Sequence, residues 1–302
     1  MKGRTAMENT YSIKWIVLDM DGTLLNPWDQ ISPRTKACLM SCQKQGIRLI
    51  LASGRSYPRL MPYAKELEMD RYGGRLIEVN GMAVYDLEKE ERRIIRRLEG
   101  GQIRELFDFC KGCQVEVQCY QDKAIYYWIP QWQIAFKEAE RQKRGLPPDY
   151  PDLGGSWTWI TDTRGGYPLQ IRIGDVSQVP DELNKINCCA DPETNEGAYR
   201  KLKDHFESKY EIVRTCPRLI EISPKGVTKG NTLKMLMEED GVKPSEVCAF
   251  GDGENDVEMF EAVGTAIAMG NAADYVKQHA RFVTESNRDD GIAMALEKWI
   301  IH

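Results

Sequence analysis

Two aspartates one residue apart, Asp19 and Asp21, directly follow a short apolar run, and this pairing most constrains the fold. The run Trp15–Leu18 is continuously apolar, which is typical of a buried strand in a parallel sheet covered on both faces. Gly22 follows and would end the strand. The carboxylates are therefore expected at the carboxyl edge of the sheet, where open α/β sheets bind ligands. Asp-Gly is also a common turn pair, so the motif alone does not decide between a turn and a site.

Three later segments strengthen the case for a site. The apolar run at residues 49–52 ends in Ser53, and the run at 247–250 ends in an acidic turn that contains Asp252. Between them, Lys229 opens an apolar helical pattern. Together these segments supply acids for a metal, a hydroxyl, and a cation near a helix N-terminus, which is what phosphate chemistry needs.

In this order, the four segments resemble the haloacid dehalogenase superfamily, and specifically its Cof-type phosphatases. Asn80 with the turn that follows it, and residues 221–227 before Lys229, are also typical of that group. The resemblance covers both outer parts of the chain. It implies an α/β fold, with a doubly wound, mainly parallel, Rossmann-like core and an inserted α+β cap domain.

The resemblance also implies catalytic roles. Asp19 would attack phosphorus and form an aspartyl-phosphate, and Asp21 would protonate the leaving oxygen and then deprotonate water. Ser53 would hydrogen-bond a phosphoryl oxygen, and Lys229 would balance the negative charge. Ser53 could instead be only a turn or cap residue, and Lys229 only a solvated helix-start lysine.

Mg²⁺ is the expected cofactor, because it is a hard ion that proteins hold with a few carboxylates, water and substrate phosphate. Its implied ligands are Asp19, the main-chain carbonyl of Asp21, and Asp252, with Asn255 or Asp256 in support. Further candidates for binding phosphate or substrate are Gly22, Thr23, Gly54, Arg55, Asn80 and Asn255. Alternative roles for Arg55 and Asn80 are an exposed loop arginine and a turn residue.

The composition limits the possible partners. The 302 residues carry a net charge of −5, which argues against a general nucleic-acid role. Basic residues at 92–97 alternate with acidic ones and indicate a solvated surface. Residues 1–14 lack a signal-peptide pattern and no apolar run has the length of a membrane span, so we expect a cytoplasmic enzyme without membrane partners. The sequence does not distinguish a monomer from a homodimer.

Nine cysteines raise the question of a zinc site. Cys110 and Cys113 have the spacing of one zinc knuckle, with Cys119, Cys188 and Cys189 elsewhere. A second knuckle is missing and the three histidines are scattered, so we expect reduced thiols rather than zinc.

The expected core consists of residues 1–86 and 224–302, with alternating strands and helices. A helix is predicted from Pro33, which follows the capping residue Ser32, to about Gln45. Near the end of the chain the pattern predicts a strand at 265–269, a helix at 272–278 capped by Asn271, and a final helix at 292–300.

The expected cap spans residues 87–223. Its predicted strands at 114–118 and 169–173 alternate polar and apolar residues, which indicates a sheet with one wet face. Residues 145–151 predict a loop. The aromatic residues at 126–159 are expected mainly in the core of the cap, although they could also stack on a sugar or a base.

These features predict a magnesium-dependent phosphomonoesterase that acts on a small phosphorylated metabolite, such as a sugar phosphate. A phosphomutase with the same active site, similar to phosphomannomutases, is one alternative. A non-catalytic binding or regulatory protein on the same fold is another, because fold alone does not guarantee function.

Overall fold

The computed structural model describes residues 13–300, which divide into two compact units. One unit contains the described residues up to Arg93 and those from Thr228 onward, and the other spans Ile94–Val227. Residues 1–12, which include most of the segment examined for a signal peptide, lie outside the described residues. Within residues 13–300, no helix is both long and apolar enough to cross a membrane.

The strands of both units are numbered in chain order. They are β1 (Trp15–Leu18), β2 (Arg48–Ala52), β3 (Arg75–Glu78), β4 (Ala83–Asp86), β5 (Glu91–Ile94), β6 (Leu98–Glu99), β7 (Glu116–Tyr120), β8 (Ala124–Trp128), β9 (Leu169–Arg172), β10 (Glu182–Leu183), β11 (Lys185–Cys189), β12 (Tyr210–Cys216), β13 (Leu219–Pro224), β14 (Val247–Gly251), β15 (Thr265–Ala268) and β16 (Phe282–Val283).

The α-helices are numbered in the same way. They are α1 (Pro33–Lys44), α2 (Tyr57–Glu66), α3 (Gly100–Gly112), α4 (Gln131–Lys143), α5 (Pro192–Phe206), α6 (Lys229–Asp240), α7 (Val257–Ala262), α8 (Asp274–Gln278) and α9 (Gly291–Trp299).

The first unit is built on one large sheet with the order β16-β15-β14-β1-β2-β3-β4-β5. The neighbours from β16 to β3 pair in parallel, and β4 pairs antiparallel with β3. All four residues of β1 are buried, as its continuous apolar run predicts. The predicted α/β fold class, with its mainly parallel core, is confirmed.

The second unit contains a mixed sheet with the order β12-β13-β11-β7-β8-β9. Its pairs are antiparallel except for β8 and β9, which are parallel. Apolar side chains of α3 and α5 pack against one face of this sheet. In this division the second unit begins at Ile94, the last residue of β5, and β5 belongs to the sheet of the first unit.

Several predicted elements need correction. The strand expected at 114–118 is β7, and all five of its residues are buried, so the prediction of a wet face is wrong for β7. The apolar face meets α3 and α5, and the polar face carries a buried hydrogen-bond network that includes Glu116 and Gln118. Helix α1 starts as predicted, with the Ser32 hydroxyl accepting from the Thr35 N–H. Asn271 does not cap α8, whose N-cap is Ala273.

Candidate active site

The register of the first sheet brings three of the predicted motifs to one edge. Leu18 at the end of β1 lies between Leu51 of β2 and Phe250 of β14. The main-chain N–H of Asp19 continues the ladder to the Phe250 oxygen at 3.1 Å. The side chains that follow these three strands therefore emerge at the same carboxyl edge, where α/β sheets bind ligands.

Lys229 joins two of the acidic residues at this edge. Its side chain is fully buried, and its Nζ lies 2.6 Å from Asp19 Oδ1 and 2.8 Å from Asp256 Oδ1. The ammonium is placed by helix α6, whose N-cap Thr228 accepts the Asn231 N–H. A cation at a helix N-terminus opposes the helix dipole, so the two carboxylates must outweigh that cost.

Three carboxylates gather around this lysine. One oxygen each from Asp19, Asp252 and Asp256 lie within 4.8 Å of one another. Burial raises the pKa of Asp19 well above its usual value. The carboxylates of Asp256 and Asp252 raise this pKa further, whereas the ammonium of Lys229 acts to lower it. Burial likewise raises the pKa of Asp252 to about 7. With one ammonium against three acids, the cluster has an excess of negative charge that a divalent cation would balance. Its oxygen donors fit Mg²⁺.

Asp256 also supports the acidic turn itself. Its Oδ2 accepts the main-chain N–H groups of Asp252 and Gly253, both at 3.0 Å. The two oxygens of Asp256 are thus engaged by the turn and by Lys229. This carboxylate connects the position of the lysine to that of the turn.

The loop after Asp19 packs closely against Asp252. Gly22 has a φ of +84°, and a Cβ there would lie 2.2 Å from Asp252 Oδ2, so a glycine is required. The hydroxyl of Thr23 donates to Asp252 Oδ1 at 2.7 Å. Gly22 and Thr23 therefore hold the acidic turn in this structure.

The carboxylate of Asp21 is exposed and is held by Arg55. Arg55 Nε donates to Asp21 Oδ2 at 2.9 Å, and Nη2 lies 2.5 Å from Oδ1. The same Nη2 donates to Asp29 Oδ1 at 2.7 Å, while Tyr63 donates its hydroxyl to Asp29 Oδ2 at 2.9 Å. Asp29 and Tyr63 were not predicted, because no local pattern in the sequence marks a contact between a loop residue and a side chain of the distant helix α2.

Ser53, Asn80 and Asn255 are connected by a second set of hydrogen bonds. The side-chain Oγ of Ser53 accepts the main-chain N–H of Arg55 at 3.1 Å, across Gly54. The main-chain oxygen of Ser53 accepts the main-chain N–H of Asn80 at 2.9 Å. The amide of Asn255 donates to Asn80 Oδ1 at 3.0 Å. Asn80 has a φ of 54°, in the left-handed region that asparagine tolerates. The turn at Asn80 thus links the segment at Ser53 to the acidic turn that contains Asn255.

Asn271 belongs to this site rather than to a helix cap. Its Nδ2 donates to the Gly22 oxygen at 2.8 Å and to Asp252 Oδ2 at 3.3 Å. The main-chain N–H of Asn287 donates to Asn271 Oδ1 at 3.0 Å. The sequence placed Asn271 correctly after β15, but strand ends and helix caps favour the same residue types.

Comparison with known proteins places this site in a family. The sequence profile of haloacid dehalogenase-like hydrolases matches residues 16–153 and 168–296. The chain belongs to this family. One relative of this haloacid dehalogenase-like hydrolase is a Streptococcus pyogenes protein named as a phosphatase. The two sequences are 27% identical, and the match covers 96% of this chain and 100% of the relative. The pyridoxal phosphate phosphatase of Escherichia coli is 26% identical, over 95% and 98%.

A solved structure shares both sequence and fold. A haloacid dehalogenase-like hydrolase from Bacteroides thetaiotaomicron is 29% identical and has a TM-score of 0.73, covering 95% of this chain and 99% of its own. The predicted membership of the Cof-type phosphatases is confirmed, and with it the enzyme class, a phosphoric monoester hydrolase.

Proposed function

We propose that this hydrolase is a Mg²⁺-dependent phosphatase of small phosphorylated metabolites that works through an aspartyl-phosphate on Asp19. The observation that carries this proposal is the buried Lys229, which contacts Asp19 and Asp256 beside the third carboxylate, Asp252. A fully buried ammonium at the end of three parallel strands fixes the orientation of the nucleophile and lowers its repulsion for an anionic substrate.

In the first step, Asp19 attacks phosphorus while the bond from phosphorus to the leaving oxygen breaks. The proton for that oxygen comes from Asp21. Lys229 already binds Asp19 Oδ1 at 2.6 Å, so it stabilises charge without reorganisation as the phosphoryl group transfers. Ser53, whose hydroxyl accepts the Arg55 N–H, has its own proton available for a phosphoryl oxygen.

In the second step, water attacks the aspartyl-phosphate, and Asp21 accepts the proton of that water. Arg55 contacts both oxygens of the Asp21 carboxylate and therefore fixes its orientation. Asp29 accepts from the same Nη2 that contacts Asp21, and Tyr63 in turn donates to Asp29. We assign Arg55 to positioning Asp21 and to binding the substrate.

Mg²⁺ would be held by Asp19, Asp252 and the main-chain carbonyl of Asp21, with Asn255 or Asp256 in support. When bound, it offsets the negative charge of the acidic cluster and so favours the approach of an anionic phosphate. The remaining groups, Gly22, Thr23, Gly54 and Asn80, shape the loops around the phosphate.

We assign substrate choice to the second unit, Ile94–Val227, and a sugar phosphate is our first candidate class. The Escherichia coli relative named for pyridoxal phosphate widens the set to phosphorylated aromatic cofactors. The aromatic residues Trp132, Phe136 and Trp159 contact one another, and the side chain of Phe136 is exposed. We expect the enzyme to act in the cytoplasm.

The test is hydrolysis of p-nitrophenyl phosphate by the wild-type protein and by Asp19→Asn, each with Mg²⁺ and with EDTA. We expect Mg²⁺-dependent turnover in the wild type and at least about a 1,000-fold loss in the variant. Turnover that persists in EDTA would rule out the metal requirement, and turnover by Asp19→Asn would rule out the nucleophile. A panel of sugar phosphates and pyridoxal phosphate then tests the substrate class, and a requirement for a sugar bisphosphate would indicate a phosphomutase.

A further inference from the structure

The loop after β15 reaches the metal-binding carboxylate through a single amide. Asn271 Nδ2 donates to the Gly22 oxygen at 2.8 Å and to Asp252 Oδ2 at 3.3 Å. The side chain of Asn271 therefore contacts both the loop that follows Asp19 and the carboxylate of Asp252. Asn271 is exposed, yet both ends of its amide are engaged.

Asn287 fixes the direction in which this amide points. Its main-chain N–H donates to Asn271 Oδ1 at 3.0 Å, and its own Nδ2 donates to the Leu25 oxygen at 2.7 Å. A flipped Asn271 amide would turn an oxygen toward the Gly22 carbonyl and the Asp252 carboxylate, and an NH₂ toward an N–H. The orientation with the donor facing Asp252 is thus the one that the neighbours permit.

Asp252 is held differently from the other two acids of the cluster. Asp19 and Asp256 bond to Lys229, whereas the oxygens of Asp252 accept from the hydroxyl of Thr23 and the amide of Asn271. Each carboxylate oxygen can accept two hydrogen bonds, so both keep capacity for a further partner. These two neutral donors orient the Asp252 carboxylate and leave its negative charge available to a cation.

We propose that Asn271, oriented by Asn287, is a positioning residue that holds the Asp252 carboxylate for binding of a divalent cation. The proposal rests on the metal site of the proposed function. Groups that orient metal ligands typically change metal affinity by about 10–100-fold when they are removed. Asn271 acts through Asp252 and has no assigned contact with the substrate.

The experiment is calorimetric titration of the full-length protein with Mg²⁺, together with thermal unfolding without metal to establish that each variant is folded. We expect Asn271→Ala to raise the Kd for Mg²⁺ by about 10-fold or more, and the near-isosteric Asn271→Leu, which also lacks the amide donor, to raise it similarly. The matched control is Gln43→Ala, which removes a buried amide of α1 that donates to the Leu67 oxygen. The control should keep the wild-type Kd.

The outcomes separate this inference from the proposed function. If the wild type binds Mg²⁺, Asp252→Asn loses the binding and Asn271→Ala keeps the wild-type Kd, the positioning role is wrong while the metal site stands. If the wild type does not bind Mg²⁺, or Asp252→Asn binds as well as the wild type, both are wrong. Should Asn271→Ala fail to fold, Asn271→Leu decides, because it removes the amide donor while filling nearly the same volume, and the proposal requires it to weaken binding beyond the control.

The kinetics provide a second readout. The Mg²⁺ concentration that gives half-maximal activity should rise in Asn271→Ala by the same factor as the Kd, with kcat near the wild-type value once the metal site is saturated. A loss of kcat at saturating Mg²⁺ without a change in Kd would contradict the proposal.

Discussion

Each unit of this hydrolase contains a buried lysine paired with a carboxylate, but the two clusters differ in their charge. In the first unit, Lys229 contacts Asp19 and Asp256 at 2.6 and 2.8 Å, with Asp252 beside them. In the second unit, Lys137 is 3% exposed and contacts Glu116 at 2.6 Å. Lys137 also donates to two main-chain oxygens, at 2.6 and 2.9 Å.

The charges in the cluster around Lys137 balance, because one lysine pairs with one glutamate. Glu116 accepts from the side chain of Gln118 and from the Gly154 N–H, so one acid and one base share a set of neutral partners. The cluster around Lys229 instead holds more acid than base. Burial of uncompensated charge is costly, so an excess of this kind indicates a site that is completed by a ligand. Charge balance, rather than burial alone, distinguishes the structural pair at Lys137 from the candidate active site at Lys229.

The sharpest test of this contrast is to replace the two lysines by methionine in turn. We expect Lys229→Met to lower kcat/KM for p-nitrophenyl phosphate by about 100–1,000-fold, because the ammonium stabilises charge in the transition state. Lys137→Met is the matched control and should keep a kcat/KM near that of the wild type, measured where the variant is folded. Equal losses in both variants would remove the distinction between the clusters.

The stability of the Lys137 cluster gives a second test of this contrast. We expect Lys137→Met to lower the free energy of unfolding by about 3–5 kcal/mol, because it leaves the buried Glu116 without its counter-charge. Denaturant unfolding measures this loss. Adding Glu116→Gln should restore part of it, since the amide oxygen can still accept the Gly154 N–H while the charge is gone. A double variant no more stable than Lys137→Met would argue against uncompensated charge as the cause.

Metal binding should stabilise one cluster and leave the other unaffected. At a Mg²⁺ concentration 100 times its Kd, the folded protein should gain about 2.7 kcal/mol, as measured by unfolding with and without the ion. Lys137→Met should keep this gain and Asp252→Asn should lose it. A gain that survives Asp252→Asn would place the ion elsewhere.

Much of the fold and of the site follows from short-range sequence patterns. The apolar runs before Asp19, Ser53 and Asp252 identify strands, and parallel pairing then brings their ends to one edge. Local patterns also identify the start of α6, where Lys229 lies. These residues could be located because each directly follows a strand or opens a helix whose identity depends on its immediate neighbours.

The remaining site residues depend on contacts between segments that are far apart in the chain. Asp29 accepts from Arg55 and from Tyr63 of α2, and Asn271 meets Gly22 across 249 positions of the chain. No periodicity records such contacts, so an asparagine before a short helix is indistinguishable from a cap. The polar face of β7 misled the prediction for a similar reason, because Glu116 is buried by a partner that only the tertiary structure supplies.

The smallest expected effect concerns the caps of two helices, one in each unit. Thr228 caps α6 immediately before Lys229, and Asp191 caps α5 by accepting the N–H groups of Glu193 and Thr194. Replacement of either residue by alanine should cost about 1 kcal/mol of stability. We expect only Thr228→Ala to lower kcat/KM as well, because it loosens the first turn that carries the lysine. Urea unfolding and steady-state kinetics on both variants measure the two quantities.

The pH dependence distinguishes the two caps further. Burial acts to raise the pKa of Asp191, but the hydrogen bonds from Thr194 and Glu193 outweigh it and lower the pKa below its usual value. A lowered pKa in the folded state means that this stabilisation is present above the unfolded value of about 3.9, and is lost as the pH falls through the folded value. The stability difference between wild type and Asp191→Ala should therefore shrink in acid, whereas the difference for the uncharged Thr228 should not follow that titration. If the difference in unfolding free energy between the wild type and Asp191→Ala stays constant down to strongly acidic pH, the charge of Asp191 does not stabilise α5.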